Sequence, residues 1–312
     1  MKTPCARFVK CFFQVVVATL LWPAALQAQH IYVANHSTNT VGAYDATTGA
    51  AIAVSLVSGL SGPWGLAISV NNLYVANFDN STVGAYNATT GATIAGFTSP
   101  IGLSNPTGLA IAGNILYVAN RTSGTVGAYD ATTGAAIAGF NSPSGLGTPF
   151  ALALGGNILY VANSTYNTVS AFNATTGAAV AGFNSPSGLE NPYALAVSGN
   201  NLYVSNNQDY TLGAYDATTG VAIAGFTSPS GLSDPEGLAV SGDVLYVANY
   251  ANNTVGAYNA TTGAAIVGFT SPGGLNNPLG LAISVPEPGN ATLLGVGILL
   301  LAARRRWEPT HA

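Results

Sequence analysis

The chain has 312 residues, only 6% of them charged, and a formal net charge of −4 at pH 7. Between its two ends Arg121 is the one strongly basic side chain, against Asp45, Asp79, Asp130, Asp209, Asp216, Asp234, Asp243, Glu190 and Glu236. That balance excludes the cationic footprint that nucleic acid requires and makes an anionic membrane surface a poor partner for the body, while the plentiful, patterned apolar residues exclude a disordered chain.

Residues 1–28 read as a secretory signal peptide. Lys2, Arg7 and Lys10 form the basic region, Phe12 to Leu21 the apolar stretch, and Leu26-Gln27-Ala28 a small-residue cleavage site before Gln29. The apolar run is short and broken by Pro23, which suits a cleaved leader better than a lasting anchor. Both cysteines, Cys5 and Cys11, lie in it, so the mature chain would have no disulfide and no thiol chemistry.

From 29 to 284 a single phrase, "LYVAN····TVGAYDATTGAAIAGF", recurs six times with small changes. Its first tyrosine falls at Tyr32, Tyr74, Tyr117, Tyr160, Tyr203 and Tyr246, in steps of 42 and then 43 residues. A fixed period of this size means a repeat architecture. The third repeat holds four strand-like runs, Gly108–Gly113, Ile115–Asn120, Thr125–Asp130 and Ala135–Phe140, rich in Val, Ile, Tyr and Phe and punctuated by Gly, Asn, Pro and Ser. The prediction is an all-β, six-bladed β-propeller with four antiparallel strands per blade. One blade alone buries too little apolar surface to offset the ordering of its backbone, so the repeats must stack face to face. The body begins at Ile31 with the second run type and ends at Leu279 to Ser284 with the first. The C-terminal strand is therefore expected to join the N-terminal three and close the ring, removing the exposed edge.

Polar residues that recur have structural explanations. Asp45, Asn87, Asp130, Asn173, Asp216 and Asn259 open the "[DN]ATTG" turn, where a short acceptor bonds backbone N–H groups and the glycine takes positive φ. Asp and Asn alternate there, so no negative charge is needed, and calcium ligation is not expected. The Asn closing each "YVAN" or "YVSN" run reads as another turn residue.

The informative positions are those where the repeats disagree. After the proline that leads into each first run come Leu279, Trp64, Thr107, Phe150, Tyr193 and Glu236. By symmetry they should ring the mouth of a central channel. A second variable set opens the loop after "YVAN": His36, Phe78, Arg121, Ser164, Asn207 and Tyr250. Both loops leave a four-stranded blade on the same face. Glu190, Asp209, Asp234 and Glu236, with Tyr193, Tyr210 and Tyr250, add carboxylates beside aromatic rings, a pairing that suits a sugar or a cationic or peptide ligand. The candidate binding residues are thus Trp64, Phe150, Tyr193, Glu236, Leu279, His36, Phe78, Arg121, Asp209, Tyr210 and Tyr250. No nucleophile–base pair and no three-histidine metal set is present, so neither catalysis nor a metal or other cofactor is expected.

After the body, Val285 leads into Pro286-Glu287-Pro288, an apolar stretch from Ala291 to Ala303, and Arg304-Arg305-Arg306. A helix of that length reaches about 20–24 Å, short of a bilayer core, and the arginines would hold its end in the cytoplasm. The three parts in this order resemble the PEP-CTERM sorting signal of Gram-negative bacteria, although here the chain continues as "WEPTHA". The resemblance implies recognition by an exosortase after signal peptidase has removed the leader, and a destination in the cell envelope, on the outer surface or in the extracellular matrix, with transient inner-membrane contact through 285–312. The body resembles NHL-repeat propellers in Pro106-Thr107-Gly108, Gly113–Asn120 and Val126–Asp130, and is similar to the YVTN surface-protein repeat through "LYVAN····TV". Those resemblances imply roles from protein and RNA binding to lyases and lactonases. "AYDATTG" is similar to a quinoprotein docking motif, but Ala53, Ala138 and Ala224 stand where that family has tryptophan, and no quinone is carried over. The expected function is a non-catalytic binding or scaffold protein whose partner is an extracellular glycan or surface protein; the alternative is a lactonase-like hydrolase or lyase at the channel mouth.

Overall fold

The computed structural model describes residues 29–284 except residue 144; the signal peptide at 1–28 and the sorting residues Pro286, Glu287, Pro288, Arg304, Arg305 and Arg306 lie outside the described residues. The described residues form β1 (His30–Asn35), β2 (Thr40–Asp45), β3 (Ala51–Val57), β4 (Pro63–Ser69), β5 (Asn72–Asn77), β6 (Thr82–Asn87), β7 (Pro106–Ala112), β8 (Ile115–Asn120), β9 (Thr125–Asp130), β10 (Pro149–Gly155), β11 (Ile158–Asn163), β12 (Thr168–Asn173), β13 (Pro192–Ser198), β14 (Asn201–Asn206), β15 (Thr211–Asp216), β16 (Pro235–Ser241), β17 (Val244–Asn249), β18 (Thr254–Asn259) and β19 (Pro278–Ile283). They pair into six antiparallel sheets. Five take three consecutive strands; the remaining one runs β19-β1-β2-β3 and joins the two ends of the body. Among the described residues no helix is long and apolar enough to cross a membrane.

The middle strand of each sheet, such as Leu116-Tyr117-Val118-Ala119, is buried on both faces, as a sheet sandwiched between neighbours requires. The core is accordingly six separate clusters, each between two facing sheets. Tyr117, Ala119 and Val126 pack on Leu152, Leu159 and Val161 of the next sheet. The same arrangement sets Ile31, Val33 and Tyr44 against Tyr246, Ala248 and Val255. Tyrosine hydroxyls staple the clusters: Tyr117 Oη donates to the Ala174 carbonyl at 2.7 Å, and Tyr246 Oη to that of Ala46 at 2.8 Å.

The outer run of each repeat departs from the expected strand. It is a full strand only in the first repeat, as β3. In the others it is a single bridge, such as Tyr129 with Ala136. Gly139 and its equivalents, Gly96, Gly182, Gly225 and Gly268, take φ between 83° and 91°, a turn no strand contains, and a proline follows. Val54 stands in that glycine's place in the first repeat, with no proline before Pro63, so the strand runs on.

The "[DN]ATTG" turns form as expected. Asp130 Oδ1 accepts from the N–H groups of Thr132 at 3.0 Å and Thr133 at 2.8 Å, and Asn259 makes the same pair of bonds. The "YVAN" asparagines do more than turn the chain. All six are buried, and the Oδ1 of Asn120 accepts from the Ser104 N–H at 3.0 Å, tying down the loop that leads into the first strand of its own sheet. Asn35, Asn206 and Asn249 repeat the bond.

One further exchange is specific to the fourth repeat. In five sheets a tyrosine folds back over the glycine two residues before it; a Cβ on Gly127 would overlap the Tyr129 phenol. The fourth has Ser170 and Phe172 at these positions, in the same register, and Ser170 Oγ accepts from Asn163 Nδ2 at 3.0 Å. Phe172→Tyr alone should drive a hydroxyl into Ser170 and lower stability by about 1–3 kcal/mol. Adding Ser170→Gly should recover most of that loss, a coupling that a double-mutant cycle in urea would read directly.

Candidate functional site

Each first strand starts on a proline, which needs no N–H partner there. The residue before it has positive φ in all six repeats: Gly62, Asn105, Thr148, Asn191, Asp234 and Asn277. Directly after it the register with the next strand slips, between Pro63 and Leu66, Pro106 and Leu109, Pro149 and Leu152, Pro192 and Ala194, and Pro235 and Gly237. A bulge re-aims the side chain it contains. Those side chains are Trp64, Thr107, Phe150, Tyr193 and Glu236.

They converge. With Gly65, Gly237 and Gly280 they line a cavity of about 110 Å³ floored by Leu66, Leu109, Leu152, Leu195, Leu238 and Leu281. Below the six leucines a second cavity of about 270 Å³ continues among Ala67, Ala110, Ala153, Ala196, Ala239 and Ala282. Thr107 is fully buried, its Oγ1 donating to the Pro149 carbonyl at 3.0 Å, and Trp64 stands among other aromatic rings. Its ring centroid lies 5.9 Å from Phe150 and 6.5 Å from Tyr193, and Phe150 and Tyr193 stack at 4.0 Å. The second variable set closes on the same rings. Phe78 is 4.9 Å and His36 5.6 Å from Trp64, and the Arg121 guanidinium carbon sits 4.6 Å over Phe150, 5.6 Å from Phe78 and 6.0 Å from Trp64. His36 Nδ1 is buried and has no hydrogen-bond partner among the described residues.

The polar side of the mouth is built by the fifth and sixth sheets. Asn207 Nδ2 donates to Asp234 Oδ1 at 2.5 Å and reaches Glu236 Oε1 at 3.4 Å. Burial, and then the charge of Asp234, push the Glu236 carboxyl up to about 8, with the Asn207 bond and Arg121 pulling the other way. Burial, then the neighbouring Glu236, also holds the Tyr193 phenol well above the usual tyrosine range, and Tyr250 is close enough to contribute. Glu236 is therefore a neutral hydrogen-bonding acid near pH 7. Its raised value means that the native state keeps a proton the unfolded chain gives up, so this group's stabilising contribution is whole below about pH 4.5 and is lost as pH rises through about 8. Glu236→Gln should leave stability at pH 5 nearly unchanged and raise it at pH 9 by about 2–4 kcal/mol, read by thermal melts at the two pH values.

Of the residues singled out from sequence, Trp64, Phe150, Tyr193, Glu236, His36, Phe78 and Arg121 come together, and Tyr250 lies beside them. Leu279, though in the same register, is 1% exposed and buried beside the mouth. Asp209 and Tyr210 are placed in their own turn: Asp209 Oδ1 accepts from the Thr211 hydroxyl at 2.8 Å, and Tyr210 has a φ of 56° and an exposed ring. Asp234 and Asn207 complete the site, whereas Thr107, like Leu279, is fully buried. Asp234 carries a sequence signal, an acid where the other repeats have Gly, Asn or Thr. Among the described residues no group of three or more His, Cys, Asp and Glu side chains is placed to hold a metal ion.

Residues 122–223 match the family described as outer membrane protein assembly factor BamB. A structure of a nidogen/laminin complex superposes with a TM-score of 0.68 at 14% identity, covering 83% of this chain and 99% of that one. Two computationally designed proteins also align. Ika8 does so at 21% identity over 82% of this chain and 75% of its own, with a TM-score of 0.49; Ika4 does so at 23% over 52% and 97%, with a TM-score of 0.40. No curated protein matches the chain. With six repeated antiparallel sheets, the family match and the nidogen/laminin superposition make the chain a β-propeller repeat protein.

Proposed function

We propose that this chain is an exported, six-bladed propeller that acts without catalysis as a binding or scaffold protein at the cell surface or in the extracellular matrix. In this reading the outer run of each repeat is a blade's fourth strand, and β19 closes the ring against β1. The leader would be removed by signal peptidase and the tail handled by an exosortase; the residue patterns at the two ends support both steps. The ligand is a glycan or a surface protein, held on the variable face. One observation carries the binding reading: residues from separate repeats, each differing from its five equivalents, meet in a single aromatic and polar mouth. Flat rings offer stacking for the C–H face of a sugar, and Asn207, Asp234 and Glu236 offer hydrogen-bond partners for its hydroxyls. A screen against glycans and exopolysaccharides, repeated with Trp64, Tyr193 and Glu236 each changed to alanine, tests it. Binding that persists unchanged in all three variants removes the site.

A second reading has its own support. A protonated Glu236 near Asp234 pairs a general acid with a second carboxyl group, the arrangement that hydrolases and lyases use. Turnover of any screened glycan, lost in Glu236→Gln, would favour it.

A further inference from the structure

We infer that the ligand of this mouth is an acidic saccharide, bound through a uronate carboxylate on Arg121. The inference rests on the glycan-binding reading above and narrows it to one class of sugar.

Arg121 is the only lysine or arginine between residues 29 and 284, in a body with nine carboxylates. It stands at the one place where variable residues converge. Its guanidinium is half-buried and stacked over Phe150, with Phe78 and Trp64 on its flanks. Among the described residues it makes no ion pair and no side-chain hydrogen bond. Stacking uses the faces of the guanidinium and leaves the N–H groups around its edge unspent. A planar edge of this kind matches a carboxylate through two parallel hydrogen bonds. A cationic ligand is disfavoured, because Arg121 already occupies the aromatic surface that would take it.

The rest of the mouth suits the remainder of such a sugar. Trp64 and Tyr193 present rings across the opening. Asn207, Asp234 and Glu236 are carried by the fifth and sixth sheets and Arg121 by the third, and the guanidinium, over Phe150, is near enough to act electrostatically on both Tyr193 and Glu236. A sugar ring laid across the aromatic residues would point its carboxylate at Arg121 and its hydroxyls at the Asn207–Asp234–Glu236 group. Because burial pushes the Glu236 carboxyl up to about 8, it is mostly protonated at pH 7, and that wall carries less negative charge against an anionic ligand. The cavity, about 110 Å³, is too small to enclose a whole sugar residue, so the saccharide would lie over the mouth and not thread through it.

The test is calorimetric titration of the folded protein at pH 7 with trigalacturonic acid and with its methyl ester, which differ only in the carboxylates. The acid should bind at least tenfold more tightly than the ester. Arg121→Gln should bring the two affinities within about twofold of each other, and in Arg121→Lys, which keeps the charge but not the planar edge, the ratio should fall between them. Melting curves of both variants check that they remain folded. Equal affinity for acid and ester in the unaltered protein overturns the inference and leaves glycan binding standing. So does a preference for the acid that survives in Arg121→Gln. Binding of neither uronide, with neutral glycans still retained in the wider screen, overturns the inference alone, whereas no retention of any glycan removes the broader reading as well.

Discussion

A chain lacking residues 278–284 is expected to lose cooperative folding of the body. β19 contributes Leu279, Leu281, Ala282 and Ile283, all buried, and pairs Ile31 with Ile283, Tyr32 with Ala282 and Val33 with Leu281. Three large aliphatic side chains at about 1.5–3 kcal/mol each already rival the roughly 5–15 kcal/mol that holds an entire domain. Their removal would also bare the polar edge of β1 and open two core clusters at once, those shared with the last and the second sheets. A chain ending at Ser284 is the control and should keep a single sharp transition in urea. Moving the seven residues to a position ahead of Gln29, through a short flexible linker, should restore much of the lost stability. A truncated chain that melted within a few degrees of the control would show that β19 does not hold the ends together.

Trp64→Ala should have the largest effect on ligand binding. Its ring touches four other aromatic groups and flanks Arg121, and it reaches from the second sheet toward the fifth. Removing it takes away the platform and frees Phe78, Phe150 and Arg121 to rearrange. A central aromatic anchor of this kind is commonly worth 2 kcal/mol or more on truncation, so affinity for the glycan found by screening should fall by about 30-fold or more. Trp64 is only half-buried, and the melting temperature should move far less than the affinity does. Equal losses in both would mark Trp64 as a packing residue, not a binding one.

Much of this was legible in the repeats. The period of 43 and the four runs per unit predict stacked antiparallel sheets, and the sheets form with their boundaries close to the runs. The outer run is strand-like in composition, yet outside the first repeat it pairs through a single bridge, because one glycine, Gly139 or its equivalent, ends it through a backbone angle that hydrophobic pattern does not report. Asking where the repeats differ singles out Trp64, Tyr193, Glu236 and Arg121, which the fold brings together in the candidate site. That comparison does not say which way a side chain leans. Leu279 and Trp64 share a register, yet one is buried beside the mouth and the other crosses it. Asp209 and Tyr210 look like site residues by chemistry, but their place in the loop assigns them to a turn. The burial of the six asparagines was hidden for another reason: Asn is also the ordinary residue of an exposed turn, and only the loop folded over it distinguishes the two.

The Ser170–Phe172 pair has a consequence for how such a chain can change over generations. A lineage passing from Gly-Ala-Tyr to Ser-Ala-Phe one codon at a time must cross either a crowded intermediate or one that gives up the Ser170 bond to the Asn163 amide. Duplication or conversion of a whole repeat carries both positions together and avoids that crossing. Selection acting on packing alone would therefore favour copying over piecemeal drift in the scaffold.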